Sequence, residues 1–312
     1  MSEPKKVVLS GIYYPMAILR YFEAALKRRE YDIGDIELFT IGPYTGTLIP
    51  WNGNMDLDAK YAIPPDFSLP KNVISTSLPY SYLESQLPWE PDMWIHVDAG
   101  MRFGGRPSKG KFAIIGTDPH VLNYDEARQK ADVFFCMQTP YQKAGDEYLP
   151  YGFDPHWHKP PVKPVPTDYD IALLGLHYQE RNSLMGALAA RGIRIKYTIG
   201  PVFDEAREIY NRSLMVLNWS SKLDLTARVF EGAALGNLVV CNDVPDLKKF
   251  FDDGKEIVSF TNMNEAIEKI THYVSDPQAA REIGKAARAR SLKDGYSWDN
   301  RVDQILATVE SL

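Results

Sequence analysis

LMVLNWSSKLDLTARVFEGAALGNLVVC, residues 214–241, is the stretch that decides the fold. The apolar run 214–218 predicts a buried strand, residues 226–235 carry apolar side chains at helical spacing, and residues 237–241 predict a second buried strand. Gly236 follows the helical segment directly, where a glycine favours a C-terminal cap. Strand, helix and strand in this order predict two parallel strands joined by a crossover helix.

The same alternation extends through the rest of the second half. Apolar runs and helical periodicity predict further strands at 169–174 and 193–198, helices at 181–191 and 205–211, and helices beginning at Asn264, Pro277 and Trp298.

The first half alternates in the same way but contains one long irregular stretch. We predict strands at 5–12, 35–41, 93–98, 112–116 and 132–136, and helices at 16–29 and 124–130. Residues 43–90 are rich in Pro, Gly, Asn and Tyr and are expected to be mostly loop, with one strand near Val73. Alternation throughout the chain predicts parallel sheets covered by helices on both faces.

A proline-rich segment, KPPVKPVPT at residues 159–167, divides the chain almost equally and predicts a stiff, extended linker. We therefore expect two Rossmann-like α/β domains facing each other across a cleft, comprising residues 1–158 and 168–296. Residues 297–312 are expected to form a helix that packs back toward the first domain. Open parallel sheets bind ligands at the carboxyl ends of their strands.

The composition narrows the functional classes. With a net charge of −6, the 312-residue chain lacks the basic balance typical of proteins with a large nucleic-acid interface. No apolar run approaches the ~20 residues of a membrane span, and the N-terminus does not resemble a secretory signal, so we expect a cytoplasmic protein. Cys136 and Cys241 end apolar runs and are expected to be buried thiols, not disulfide or metal ligands.

Two charged residues stand out in the opening stretch. Arg228 and Glu231 are three residues apart, so they are neighbours on the helix face opposite the apolar side chains. This spacing is typical of a surface ion pair, and it also suits a ligand site. Dinucleotide-binding glycine fingerprints, Walker-type loops, nucleophile elbows and zinc-ligand spacings are absent from the sequence.

The segment Arg-Val-Phe-Glu at 228–231, followed by small residues, Gly236 and a valine-rich strand, resembles the nucleotide-binding segment of GT-B glycosyltransferases. More narrowly, the chain resembles the CgeB-like family of spore-maturation type. The resemblance is carried by residues 148–155, 169–175 with Arg181, Leu217 with Asn218, 246–256, 276–277 and 296–301, and is weak over the first 90 residues.

The resemblance implies a donor site for a nucleotide diphosphate sugar, with a UDP-sugar as co-substrate and neither metal nor cofactor. Glu231 would accept hydrogen bonds from the ribose hydroxyls, and Arg228 would contact the diphosphate. Phosphate would also bind at the turn that contains Gly175. Asn218 fits the family pattern. Arg181 is either a second phosphate contact or a surface residue. Many retaining relatives have a further glutamate eight positions before Glu231, where this chain has Leu223 followed by Asp224, so the stereochemical outcome stays open.

The acceptor side is expected in the first domain. Asp118-Pro119-His120 resembles an Asp-x-His element of CgeB-like proteins. In that role His120 would act as general base or contact the donor sugar. Alternatively, Asp118 is a capping aspartate and His120 a surface histidine. The remaining acceptor-side candidates lie at or near the ends of the predicted strands 5–12 and 93–98: Gly11, Tyr13, His96 and Asp98. Since His96 is inside an apolar strand, it is alternatively a core histidine.

The resemblance thus implies a hexosyltransferase whose acceptor is a small molecule, a glycan or, as an alternative, a modified DNA base. A second alternative is a non-catalytic, two-lobed protein that binds a nucleotide sugar or another solute. Neither the sugar nor the oligomeric state follows from the sequence.

Overall fold

The computed structural model describes residues 3–44, 61, 63–69, 78–220 and 222–312. They form two compact units: unit 1 contains residues 1–150 together with 298–312, and unit 2 contains residues 151–297.

Unit 1 is built on a parallel sheet of seven strands. The strands are β1 (Lys5–Gly11), β2 (Ile36–Pro43), β3 (Phe67–Leu69), β4 (Met93–Asp98), β5 (Lys111–Gly116), β6 (Val133–Cys136) and β7 (Glu147–Tyr148). Their order is β3-β2-β1-β4-β5-β6-β7, and β1 pairs with both β2 and β4 in parallel register. The helices are α1 (Leu19–Asp32), α2 (Tyr80–Glu84), α3 (Asp125–Lys130) and α9 (Trp298–Glu310). The first six strands have the Rossmann order.

The C-terminal helix α9 is part of unit 1 and packs against α1. The buried Trp298 ring lies edge-on to Phe22, with ring centroids 4.9 Å apart, and stacks on Tyr21 at 5.7 Å. Arg28 and Asp299 add a bidentate ion pair with a shortest Nε–Oδ1 distance of 2.8 Å. Aromatic packing and a paired charge therefore hold the end of the chain against its beginning.

Unit 2 contains a parallel sheet of five strands: β8 (Tyr169–Leu174), β9 (Ile195–Thr198), β10 (Ser213–Asn218), β11 (Leu238–Asn242) and β12 (Val258–Phe260). Its helices are α4 (Gln179–Ala189), α5 (Phe203–Asn211), α6 (Ala227–Leu235), α7 (Met263–Ser275) and α8 (Pro277–Lys293). The strand order is β12-β11-β10-β8-β9, which is the flavodoxin-like arrangement.

Glycines allow the helices of unit 2 to lie close to the sheet and to each other. Gly232 on α6 faces Val216 and Val239, where an added Cβ would lie 2.9 Å from Val239 Cγ2. Gly284 on α8 is packed against backbone: a Cβ there would lie 2.2 Å from the carbonyl oxygen of Gly236. Gly236 itself has φ +84° and ends α6 in the left-handed conformation, as its position in the sequence predicts.

We expect Gly284→Ala to lower the free energy of unfolding by about 1–3 kcal/mol, because the new methyl group meets rigid backbone. Gly186→Ala is the matched control: this residue is also inside a helix, but it is exposed and nothing lies within 4 Å of its added Cβ. That variant should be unchanged or more stable by roughly 0.5–1 kcal/mol. Chemical denaturation measures both, and equal effects would contradict the packing described.

The structure confirms the predicted fold class, two Rossmann-like parallel α/β sheets. Sequence periodicity did not predict the short strands β3, β7 and β12 or the single-turn α2, since two to five residues are too few to show a pattern. The strand expected near Val73 lies outside the described residues. Across the described ranges, no helix combines the length and apolar character that crossing a membrane requires.

The boundary between the units differs from the one predicted. Unit 2 begins at Tyr151, and the proline-rich segment 159–167 lies inside it. Contacts explain the difference: the backbone N–H of Phe153 donates to Tyr296 O at 3.0 Å, and Nη1 of Arg194 donates to Thr167 O at 2.9 Å. Proline content indicates a stiff backbone, but hydrogen bonding decides which unit a segment joins.

Candidate functional site

The sheet of unit 2 has a switch point between its neighbouring strands β8 and β10. The chain leaves β8 toward β9 on one side of the sheet and leaves β10 toward β11 on the other. Loops that diverge in this way open a crevice at the carboxyl edge, where ligands of open α/β sheets bind. Gly175 follows β8 and Asn218 ends β10, so both predicted donor-site residues lie at this edge.

Arg228 bridges the ends of these two strands. Its Nε and Nη2 donate to Leu174 O at 3.1 and 2.7 Å, and its Nη1 donates to Asn218 Oδ1 at 2.8 Å. The hydroxyl of Thr226 also donates to Asn218 Oδ1, at 2.6 Å, and so fixes the amide. The alternative of a surface ion pair with Glu231 therefore does not hold, because the guanidinium turns toward the sheet.

Arg181 on α4 makes a second bridge beside the first. It is only 6% exposed, so it is not an ordinary surface residue. Its Nε and Nη2 donate to Trp219 O at 2.9 and 2.6 Å, and its Nη1 donates to Leu176 O at 2.9 Å. The guanidinium carbon also lies 4.7 Å from the ring centroid of Tyr178.

The two guanidiniums concentrate positive charge against one glycine. A Cβ on Gly175 would lie 2.7 Å from Arg228 Nη2 and 3.5 Å from Arg181 Nη1, so only a glycine leaves this space to the arginines. Burial, and then repulsion from Arg228, lower the pKa of Arg181 to about 10, so Arg181 remains charged at neutral pH. Asp224 opposes this shift from nearby, but within the described part of the chain neither arginine forms an ion pair with a carboxylate.

Tyr210 on α5 extends this polar cluster and belongs to none of the predicted motifs. Burial raises the pKa of its hydroxyl to about 12, and the neighbouring Arg228 opposes the rise. Its ring packs in a small apolar cluster with Ala172, Val216 and Leu235. The sequence does not indicate this position, because a tyrosine within a helical segment is not distinctive.

Glu231 lies one turn further along α6, and its carboxylate is near a histidine that is not among the predicted site residues. Its Oε1 is 3.8 Å from Nε2 of His158, whose side chain is 3% exposed. The backbone N–H of Asp154 donates to Nδ1 of the same ring at 2.9 Å. Nδ1 therefore has no proton, and the neutral ring carries its hydrogen on Nε2. The only signal in the sequence is a histidine that follows an Asp-Pro turn, 73 residues from Glu231.

His158 is neutral in the folded protein. Burial, and then the positive charge of Arg207, lower its pKa to about 3. The contact with Glu231 is therefore not an ion pair; it places a polar N–H beside a carboxylate.

This shift has a measurable effect on stability. A depressed histidine pKa stabilises the fold fully above about pH 6.5, and that stability is lost as the pH falls toward 3, because only the unfolded chain takes up the proton. Between pH 7 and pH 5 the loss should be about 2 kcal/mol for this group. Denaturation of wild type and His158→Gln at pH 7, 6 and 5 measures it: the difference in unfolding free energy should change by that amount. Parallel pH profiles would show that His158 does not titrate as described.

Four of the predicted acceptor-side residues of unit 1, Gly11, Tyr13, His96 and Asp98, lie within or just after β1 and β4. His96 is 2% exposed, with Nδ1 3.0 Å from Ser10 Oγ and Nε2 2.9 Å from Met101 O. Both ring nitrogens are satisfied, and burial lowers the pKa of the ring, which fits the alternative of a core histidine. Asp98 accepts from Arg102 Nε at 2.7 Å and from the N–H of Gly100 at 2.8 Å.

Gly11 and Tyr13 support the end of β1. A Cβ on Gly11 would lie 2.4 Å from Leu19 Cδ1 and 2.8 Å from Val97 O, so the residue is enclosed by protein. Tyr13 is fully buried, its hydroxyl donates to Leu9 O at 2.8 Å, and burial raises its pKa well above 10. The structure thus places the Tyr13 side chain inside unit 1 and not on its surface.

Asp118 and His120 follow β5 and are not joined to each other. The Asp118 carboxylate accepts from Thr117 Oγ1 at 2.6 Å. The buried Nδ1 of His120 has no hydrogen-bond partner in the described part of the protein, and the ring centroid lies 6.3 Å from that of Tyr141. His120 therefore keeps a nitrogen uncommitted, unlike His96.

Two further predictions concern metal ligands and thiols. Among the described residues, no three His, Cys, Asp or Glu side chains are grouped so as to hold a metal ion. Cys136 and Cys241 are buried free thiols, as predicted. Burial raises the pKa of Cys241 to about 12, so it is not a reactive thiolate.

Comparison with known proteins gives a family match to the second half of the chain. Residues 162–307 match the model of the Glyco_trans_1_2 family, described as glycosyl transferase-like. The matched residues include all five predicted donor-site residues. No curated protein sequence matches the chain.

Solved structures resemble the chain over nearly its whole length. Sucrose-phosphate synthase from Thermosynechococcus elongatus matches with a TM-score of 0.66 at 13% identity, covering 98% of each chain. A glycosyltransferase from Rickettsia africae matches with a TM-score of 0.64 at 11% identity, covering 99% of each. HepE of Anabaena, in complex with UDP and glucose, matches with a TM-score of 0.64 at 12% identity, covering 99% of this chain and 100% of that one. At these identities the likeness establishes the fold, which is that of GT-B glycosyltransferases.

Proposed function

We propose that this protein is a glycosyltransferase that moves a hexose from a UDP-sugar to an acceptor hydroxyl, and that the crevice between β8 and β10 binds the donor. The family match and the GT-B fold support the reaction class. The complexes of Anabaena HepE with UDP and with UDP-glucose support the choice of donor. The resemblance to CgeB-like enzymes supports assignment to that subfamily.

The observation that carries the proposal is the pair of adjacent arginines, Arg181 and Arg228. Within the described part of the chain, the hydrogen bonds of both side chains go to neutral oxygens, among them the carbonyls of Leu174, Leu176 and Trp219 and the Asn218 amide. Two neighbouring, partly desolvated positive charges repel each other, and an anion between them removes that cost. A diphosphate carries the charge and the oxygens that guanidinium groups bind best.

The same pair suits the chemical step. When the bond between the sugar and the diphosphate breaks, negative charge grows on the leaving oxygen. Guanidiniums fixed by bonds to the strand ends can stabilise that charge without reorganising. We therefore propose that Arg228, with Arg181, acts on the leaving group and that the reaction needs neither a metal ion nor a cofactor.

Acceptor activation is assigned to unit 1. Of its candidates, His120 has a nitrogen without a partner in the described structure and lies two residues after Asp118, at the carboxyl end of β5. We propose His120 as the general base and Asp118 as its electrostatic support. Gly11 and Asp98 stay candidates for the acceptor side. We propose that the protein acts in the cytoplasm.

Nucleotide binding tests the donor site. Calorimetry or thermal shift with UDP, GDP, dTDP and CDP, alone and as their sugars, should show stabilisation by UDP and a UDP-sugar, because a ligand of the folded state raises stability by mass action. Glu231→Ala should weaken UDP binding by roughly tenfold to a hundredfold through loss of the ribose contacts. Glu282→Ala, an exposed glutamate on α8 in the same unit, is the control and should bind as wild type. Silence across the whole panel would refute the donor site.

Turnover tests the role of Arg228. In Arg228→Ala we expect the rate of donor hydrolysis, followed as UDP release, to fall about 10²–10³-fold, with a smaller loss of donor affinity. The reason is that the charge facing the guanidinium increases as the bond breaks. Arg281→Ala on α8, an exposed arginine, is the control. A wild-type rate in Arg228→Ala would remove the residue from the mechanism.

A further inference from the structure

The loop 154–158 holds a histidine against the residue proposed to bind the ribose. The carboxylate of Asp154 accepts from the backbone N–H groups of His156 and Trp157, at 2.8 and 3.1 Å from Oδ1. The chain then closes on itself through the bond from His158 N to Asp154 O. These hydrogen bonds fix the turn, and His158 stands at its end.

The turn also determines which nitrogen of His158 is protonated. Because Nδ1 accepts the Asp154 N–H, Nε2 must carry the hydrogen, and Nε2 is the atom that faces Glu231 Oε1 at 3.8 Å. That distance is longer than a hydrogen bond, so the N–H lies beside the carboxylate and acts on it through space. Burial keeps the ring neutral, so it directs a dipole at the carboxylate and does not neutralise it.

We propose that His158 is a positioning residue for the donor site: its Nε2–H orients the Glu231 carboxylate so that both oxygens meet the two ribose hydroxyls of the nucleotide. This rests on the proposed function, since it assumes that Glu231 binds ribose. A carboxylate on a helix surface has several rotamers, and holding one of them lowers the entropic cost of binding.

The role predicts an effect that depends on the ribose hydroxyls. A residue that merely stabilised the fold would, when changed, weaken binding of all nucleotides alike. A residue that orients Glu231 should matter only for ligands that have the hydroxyls. UDP and 2′,3′-dideoxy-UDP are the matched probes, because they share base and diphosphate.

The experiment is calorimetry of both probes with wild type, His158→Phe, His158→Gln, His156→Phe and Glu231→Ala. Wild type should prefer UDP over the dideoxy analogue by at least about tenfold. His158→Phe, which keeps a ring but loses the donor, should lose most of that preference while binding the analogue as wild type does. His158→Gln retains an N–H donor and should keep most of the preference for UDP. His156→Phe changes an exposed neighbour in the same loop and should behave as wild type.

The outcomes separate the two proposals. If Glu231→Ala abolishes the preference for UDP but His158→Phe retains it, or weakens both probes equally, the positioning role is wrong and the donor site stands. If wild type binds neither probe, the proposed function and this inference both fail. If His158→Phe does not fold, His158→Ala replaces it. Loss of the preference for UDP in His158→Ala, with the preference retained in His158→Gln, supports the positioning role. An equal preference in these two variants overturns it.

Discussion

The bridge from Arg228 to the ends of β8 and β10 is the constraint on which the candidate site depends. The guanidinium satisfies Leu174 O and Asn218 Oδ1, and so ties together the two strands that flank the switch point. It requires a glycine at position 175, because any larger residue would occupy its place. Arg181 repeats the arrangement with Trp219 and Leu176. The sheet edge thereby gains two fixed positive charges that no carboxylate pairs with among the described residues. This excess of positive charge favours an anionic ligand.

The two units differ in how their polar residues are used. In unit 2, the groups at the sheet edge are oriented by the protein but leave net charge to be neutralised. In unit 1, most candidates are already satisfied: His96 by Ser10 and Met101, and Asp98 by Arg102. His120 is the exception in the described structure, with its unpartnered buried nitrogen. Polar residues near strand ends are thus not equivalent. Those whose polar atoms are hydrogen-bonded within the protein are structural, and those with an unpartnered polar atom can still bind a ligand.

The sequence predicted the fold class because parallel strands buried on both faces appear as continuous apolar runs, as in residues 214–218. It could not place the domain boundary, which depends on tertiary hydrogen bonds such as the one from Phe153 to Tyr296, and proline content does not reveal these. It brought Arg228 and Glu231 together as a pair, but spacing alone could not show that the arginine turns toward the sheet. His158 was missed because its partner is distant in sequence, and only the tertiary structure brings the two together.

The most direct test of the account compares uridine with UDP. The increment in affinity that the diphosphate adds should be measured by calorimetry in wild type, Arg181→Gln, Arg228→Gln and the double variant. If the arginine pair binds the diphosphate, the increment should be at least about a hundredfold in wild type and should largely disappear in the double variant, with uridine affinity unchanged. An equal increment in wild type and double variant, or none in wild type, would contradict the central claim that the crevice between β8 and β10 binds a nucleoside diphosphate through its two arginines.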